Sequence, residues 1–309
     1  MSARWRYDAH VKSRSILEML KDAVRSYADR HANSDCIALT PVPGLRMMRV
    51  AAPNEPLRSM YRPLVCLVLQ GAKLLVVGRE ERAFDAGRAV IVGVDLPVTG
   101  RIIKASADEP YLAIAIELDM EIVQQLASEV RRPASSSASA PSLFDERFDE
   151  DALSCAFRLI RLIDNPEAIP VLHPAILREL HYWLLRSRHG PSLGRLAVPD
   201  GYQQRIARAI EMLRTEFRRP ILVARLADAS SMSVSAFQRH FKAVTSLSPR
   251  QFQKQLRLIE ARRLLLMEGS PAGRAALAVG YQSMSQFNRD YSRFFGAPPK
   301  RDARTARKV

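Results

Sequence analysis

Six histidines occur in this chain of 309 residues, and none lies between residues 36 and 118. A metal centre in a β-rich domain ordinarily draws on two or three histidines and a carboxylate. A conventional metal site is therefore not expected there. Glu80, Glu81, Asp85 and Asp95 remain, but carboxylates in turn-like stretches are more often solvated than ligating. His173, His181 and His189 fall at eight-residue spacing along a helical stretch, out of step with an i, i+4 ligand pair; surface or interface packing is expected of them. Cysteine is scarcer still. Cys36, Cys66 and Cys155 form no CxxC and leave an odd one out, which fits a reducing cytoplasm rather than a disulfide scaffold. Cys66 sits in an apolar run and reads as core packing. No glycine-rich phosphate loop, nucleophile elbow or metal motif is present, so neither catalysis nor a cofactor is expected. The longest apolar run, Leu64 to Leu69, is far short of the ~20 residues of a membrane helix. The first thirty residues are charged throughout and lack the apolar core of a signal peptide. A cytoplasmic protein with no membrane partner is expected.

Acidic residues run short in one part of the chain. Residues 201–309 carry 21 Lys and Arg against 7 Asp and Glu, so they hold +14 of the total +15. Such segregation is what a domain that neutralises phosphates requires. The same region repeats itself: Ser235 and Ser285, Phe237 and Phe287, Arg239 and Arg289, Pro249 and Pro299 are each fifty residues apart. Four matches in register mark a duplicated helical unit. In the first copy, Ile221 to Ala229 reads as a short helix, Ser230-Ser231-Met232 as a turn, and Ser233 as the cap of a helix burying Phe237, Phe241 and Val244. Ser235, Gln238 and Arg239 then share the opposite face. In the second, Pro271 starts a helix, Val279-Gly280-Tyr281 turns the chain, and the following helix buries Phe287 and Tyr291 and presents Ser285, Asn288 and Arg289. Amide side chains pair bidentately with adenine and arginine with guanine, so both faces suit a major-groove reader. His240 and Gln286 are candidates either for DNA contact or for solvent. Between the copies, Pro249 to Met267 reads as one helix of ~28 Å, close to the ~34 Å between successive faces of the major groove. Arg250, Lys254 and Arg257 along it are expected to touch the DNA backbone or face solvent.

The residues Leu226-Ala227, Met232-Ser233-Val234-Ser235, Phe237, Arg239, Phe241-Lys242, Ser248-Pro249, Arg257-Leu258, Ala261, Leu264-Leu265, Val279-Gly280-Tyr281, Ser285, Phe287, Arg289 and Gly296 together resemble the DNA-binding domain of the AraC/XylS family of transcriptional regulators. The resemblance spans roughly the last hundred residues. It departs from the family at Ser231 and Ser246, where glycine is usual, and at Ala275, where isoleucine is usual. These changes fall on turns and on the second core, and spare the reading faces.

Ahead of this region the rhythm is different. After a helical stretch at Ile16 to Tyr27, β-rich runs fall at Ile37–Thr40, Leu45–Val50, Val65–Leu69, Leu74–Val77, Ala89–Val92, Gly100–Lys104 and Leu112–Glu117. Short strands at close spacing predict a small barrel or sandwich able to enclose a small ligand. Tyr61-Arg62-Pro63, Leu67-Val68-Leu69-Gln70-Gly71-Ala72-Lys73, Gly93-Val94-Asp95-Leu96-Pro97-Val98 and Glu109-Pro110-Tyr111-Leu112 resemble the amino-terminal domain of one AraC-type subfamily. That resemblance implies a cupin-like β-barrel which senses a small organic effector, aldehyde-like in some members. It names no effector-binding residue.

The expected architecture is α+β: a cupin-like sensing domain with an N-terminal helix over 1–130, a flexible linker over 131–142, a helical segment over 143–200 that dimerises, and an all-α domain over 201–309 with two helix-turn-helix units joined by a linker helix. A second linker is expected over Gly190 to Gly201. The apolar stripes of Asp151 to Ile163 and Ile176 to Arg186 need a partner, either the barrel itself or a second copy of the chain. The reading is a sequence-specific, effector-responsive transcriptional regulator that leans towards activation, with promoter DNA, a homodimeric partner and RNA polymerase as its contacts. The alternatives are an architectural DNA-binding protein with no effector, and a cupin enzyme fused to a DNA-binding domain.

Overall fold

The computed structural model describes residues 15–33, 35–78, 80–130, 143–196 and 201–306. The linker expected over 131–142 lies outside the described residues. Helix α1 (Ile16–His31) is capped by Ser15 and buries Leu20, Val24 and Ala28. Nine strands follow: β1 (Ile37–Leu39), β2 (Leu45–Val50), β3 (Leu57–Tyr61), β4 (Leu64–Gln70), β5 (Ala72–Val77), β6 (Glu80–Asp85), β7 (Arg88–Val92), β8 (Leu96–Lys104) and β9 (Tyr111–Glu117). Then come α2 (Met120–Glu129), capped by Asp119, and a tenth strand, β10 (Leu143–Arg147). The strands form two antiparallel sheets, β1-β2-β9-β4-β7-β10 and β3-β8-β5-β6. These face each other across one core, and hydrogen bonding does not close them into a continuous barrel. The chain passes from one sheet to the other at Gly71, where φ is +77° and a Cβ would run into the Lys104 carbonyl. Only glycine turns this corner without strain.

β4 is buried along nearly its whole length. Its inner face meets the opposite sheet and its outer face meets α1, which also packs on β2 and β9. Burial on both faces removes the alternation that marks a one-sided strand, which is why Leu64 to Leu69 reads as an unbroken apolar run.

Three strands were not foreseen. β3 is half-exposed along most of its length, and β6 buries only Phe84 among charged neighbours. Charged side chains suit β6 because it is a sheet edge. β10 falls in the segment expected to be helical. It pairs with β7, with Asp145 on Arg88, and so extends the larger sheet of the first domain. Helices α3 (Glu150–Arg161) and α4 (Ile169–Arg186) then pack on one another, α3 against α1 and α4 against α2. Their apolar stripes thus find a partner on their own barrel.

Two further expectations need correction. Gly190 opens a helix, α5 (Gly190–Leu196), rather than a linker; a Cβ on Gly190 would run into the Leu185 carbonyl, and residues 197–200 lie outside the described ones. His181 is not a surface residue but is fully buried. The Asp119 amide donates to its Nε2 at 2.9 Å, and its Nδ1 lies 2.6 Å from the Leu177 carbonyl. Nδ1 therefore carries the proton, and the ring pins α4 to the start of α2 in its neutral form. Burial holds its pKa below the ordinary histidine value.

The C-terminal part is all helical: α6 (Tyr202–Glu216), α7 (Val223–Ala229), α8 (Val234–Thr245), α9 (Pro249–Leu266), α10 (Ala272–Ala278), α11 (Met284–Phe295) and α12 (Pro299–Ala306). Ile206, Ile210 and Leu213 of α6 join the barrel core to that of α7 and α8, so one apolar cluster runs from Leu20 to Leu256. A second cluster, built on Leu258, Ala261, Leu265, Ala275, Phe287 and Tyr291, serves α10 and α11. Among the described residues no helix is long and apolar enough to cross a membrane.

Candidate nucleic-acid interface and barrel cavity

The fifty-residue repeat is carried into the fold at every junction. Ser233 and Ser283 cap α8 and α11, accepting from the Ala236 and Gln286 amides at 3.3 Å each. Phe237 packs tilted against Phe241, which meets Phe252 of α9 edge-on beneath the first unit; Phe287, Tyr291 and Phe295 pack in tilted pairs beneath the second. Both helices end on a left-handed residue, Ser246 at φ 59° and Gly296 at φ 79°. Pro249 and Pro299 then open α9 and α12. α12 was not expected as a helix, although the repeat places Pro299 opposite Pro249.

Turned away from these cores, Ser235, Gln238 and Arg239 are exposed on α8, and Ser285, Gln286, Asn288 and Arg289 on α11. Among the described residues neither Arg239 nor Arg289 forms an ion pair, so both guanidinium forks are available to base edges. His240 is different. It is half-buried, with its ring centroid 4.6 Å from that of Tyr202 on α6. Burial, and then the charge of Arg239, lower its pKa.

The spacer between the two faces is fixed at its start and at its middle. The Ser248 hydroxyl and the Gln251 side chain form a reciprocal capping box at the start of α9. Arg257 does not project into solvent as expected. Its Nε donates to the Phe217 carbonyl at 2.7 Å, and its terminal nitrogens donate to Gly280 and Arg218 carbonyls at 3.2 Å each. This guanidinium ties α9 to the end of α6 and to the turn of the second unit. Gly280, at φ +85°, stands so close to the Arg218 carbonyl that a Cβ would overlap it. Lys254 pairs with Asp290 of α11 at 3.5 Å, whereas Arg250 is exposed.

The first domain holds a cavity of 410 Å³ between its sheets. Met47, Met48, Met60, Leu64 and Ile114 give it apolar walls. At its rim Arg46 pairs with Glu117 at 2.8 Å. Inside lies Lys73 of β5, only 3 % exposed, with Nζ 3.0 Å from the Tyr61 hydroxyl and 3.8 Å from Cys66 Sγ. Burial works against a charge on this amine, and the Tyr61 hydroxyl accepts a hydrogen bond from it. No ligand-facing residue was legible in the sequence; the signal available was a lysine second in the otherwise apolar strand β5. A second cavity of 380 Å³ lies where the barrel meets α6, beside Asp95. Asp95 is raised in pKa by burial, against the pull of Arg214 at 3.3 Å. Among the described residues no group of three or more His, Cys, Asp and Glu could hold a metal ion.

Comparison with known proteins bears on both halves. The family model of the AraC-type transcriptional regulator N-terminus matches residues 41–192, and that of a helix-turn-helix domain matches residues 226–305. A probable thc operon regulatory protein of Rhodococcus erythropolis is 26% identical over 82% of this chain and 77% of its own length. The HTH-type transcriptional regulator CdhR of Pseudomonas aeruginosa is 26% identical over 87% of this chain and 75% of its own. The crystal structure of unsaturated fatty acid bound ToxT from Vibrio cholerae superposes with a TM-score of 0.56, covering 84% of this chain and 93% of that one at 10% identity.

Proposed function

Because this chain belongs to the AraC/XylS family of transcriptional regulators, we propose that it is a promoter-specific activator that reads DNA with α8 and α11 under the control of a small molecule held in its cupin-like barrel. The observation that carries this reading is the pair of exposed reading faces, Ser235, Gln238 and Arg239 on one side of α9 and Ser285, Asn288 and Arg289 on the other, in the same register of one repeat. Gln286 is exposed beside the second face, and His240 borders the first. Bidentate arginine and amide contacts are the usual means of reading guanine and adenine in the major groove. A single copy of the chain presents two such faces, and a homodimer would double them. The effector acts by binding one arrangement of barrel and DNA-binding unit better than another, and shifts the balance only by that difference. The described residues bring the two parts together at Asp95–Arg214 and around α6.

The test is to select fragments of the organism's own genomic DNA on the purified protein at near-physiological salt. A few promoter fragments sharing two motifs about one helical turn apart are expected. Uniform recovery with steep salt sensitivity would leave only backbone binding, and the protein would be an architectural one. Sedimentation with and without the selected DNA reads the oligomeric state; a monomer in both would remove the homodimer. Transcription from the selected promoters with purified RNA polymerase reads the sign of regulation.

A further inference from the structure

A buried ammonium is costly unless an opposite charge or a full set of acceptors meets it. Lys73 Nζ has one hydroxyl and one thiol within reach, and among the described residues no carboxylate pairs with it. Glu117 lines the same cavity but is held at the rim by Arg46. The Tyr111 hydroxyl is buried next to the Lys73 amine and the Cys66 thiol, and it forms no hydrogen bond of ordinary geometry. One buried amine, with the Tyr61 hydroxyl beside it, therefore stands inside a cavity lined by Met47, Met60, Leu64 and Ile114, with Arg46, Arg62 and Glu117 also in its lining. Its 410 Å³ falls within the ~300–1,000 Å³ of small-molecule sites.

We propose that this cavity binds an organic monocarboxylate, with the carboxylate paired to Lys73 and accepting from the Tyr61 hydroxyl, and the apolar body lying against Met47, Met60, Leu64 and Ile114. The charge-assisted bond is stronger than a neutral one and fixes the orientation of the ligand. The proposal rests on the barrel being the effector site and names the chemical class that site accepts.

The full-length protein and its Lys73→Met variant are titrated with octanoate, benzoate and naphthoate, and with the primary amide of each, by calorimetry and thermal melting. At least one acid is expected to bind, its amide at least about tenfold more weakly, and the variant to lose the acid by a similar factor. Without ligand the variant is expected to melt no lower than the parent, since methionine fills the same space without a buried charge. Equal binding of acid and amide, no binding by any of the three acids, or acid binding retained in Lys73→Met would each overturn the proposal. So would a variant that melts lower, which would make Lys73 a structural group satisfied by Tyr61 and Cys66. Promoter selection by the same protein is read separately: if it succeeds while the acids fail, the regulator stands and the carboxylate falls.

Discussion

At the scale of single residues, Arg239 and Arg289 gain meaning from what they do not touch. Neither guanidinium is engaged within the described chain, so each is free to make a forked contact with a guanine. Arg239→Ala and Arg289→Ala are each expected to relax base choice at one or two positions by about 1–3 kcal/mol, read from binding to single-base variants of the selected promoter. A uniform loss on every variant would show a phosphate contact instead. Ser231 and Ser246 sit at φ 50° and 59°, in the left-handed region where the family usually has glycine. A Cβ there is strained, so Ser231→Gly and Ser246→Gly should each raise stability by about 1 kcal/mol in urea unfolding. His181 supplies a pH dependence. Its native pKa is held below the ordinary ~6.5 by burial, so below that pH the unfolded chain takes up a proton that the native one excludes. Stability from this residue is complete above about pH 6.5 and falls as the pH drops. His181→Gln keeps an acceptor for the Asp119 amide and should show a shallower loss between neutral and mildly acid pH; an unchanged slope would move the effect to another group.

At the scale of elements, the parts of the fold with strong periodicity were legible and the polar parts were not. The fifty-residue spacing, the capping Ser233 and the buried Phe237 and Phe287 located both helix-turn-helix units to within a residue or two. β4, β7 and β9 announced themselves as apolar runs. β6 was hidden because an edge strand needs one buried residue, Phe84, and tolerates charge elsewhere. β10 was hidden because its partner, β7, lies fifty residues back, and nothing local in Leu143 to Arg147 requires that pairing. The reading faces could be inferred from helical spacing alone. The half-burial of His240 and the enclosure of Arg257 could not, since both depend on α6. α9 sets the separation of the reading faces only while it remains helical from its first turn. Ser248→Ala removes the capping box and should cost about 1 kcal/mol in stability, with a larger effect on DNA bearing both motifs than on DNA bearing one. Equal effects on the two would mean that the cap serves folding alone.

At the scale of the whole molecule, the two helix-turn-helix units stand in different relations to the barrel. The first shares the barrel's core through Ile206, Ile210 and Leu213 of α6, whereas the second keeps a core of its own. The second meets the barrel through Arg58 of β3, whose guanidinium lies 4.8 Å from the Phe294 ring centre. Arg58 is half-buried there, and burial, then the charge of Arg262, lower its pKa. Arg58→Ala should speed amide hydrogen exchange in α11 and α12 and leave α8 as it was; equal protection in both variants would assign the second unit's position to α9 alone. The shared core also bears on transplantation. A DNA-reading module excised at the boundary of its helix-turn-helix match, residue 226, would leave α6 behind and bare the apolar faces of Leu226 and Phe241. A graft that starts at Tyr202 instead carries α6 with it, but with the side that met Leu196 and the barrel uncovered. Sensors and readers of this type are therefore exchangeable only where the recipient barrel offers an apolar seat of matching shape, and a chimaera lacking one should express as aggregate whatever the quality of its reading helices.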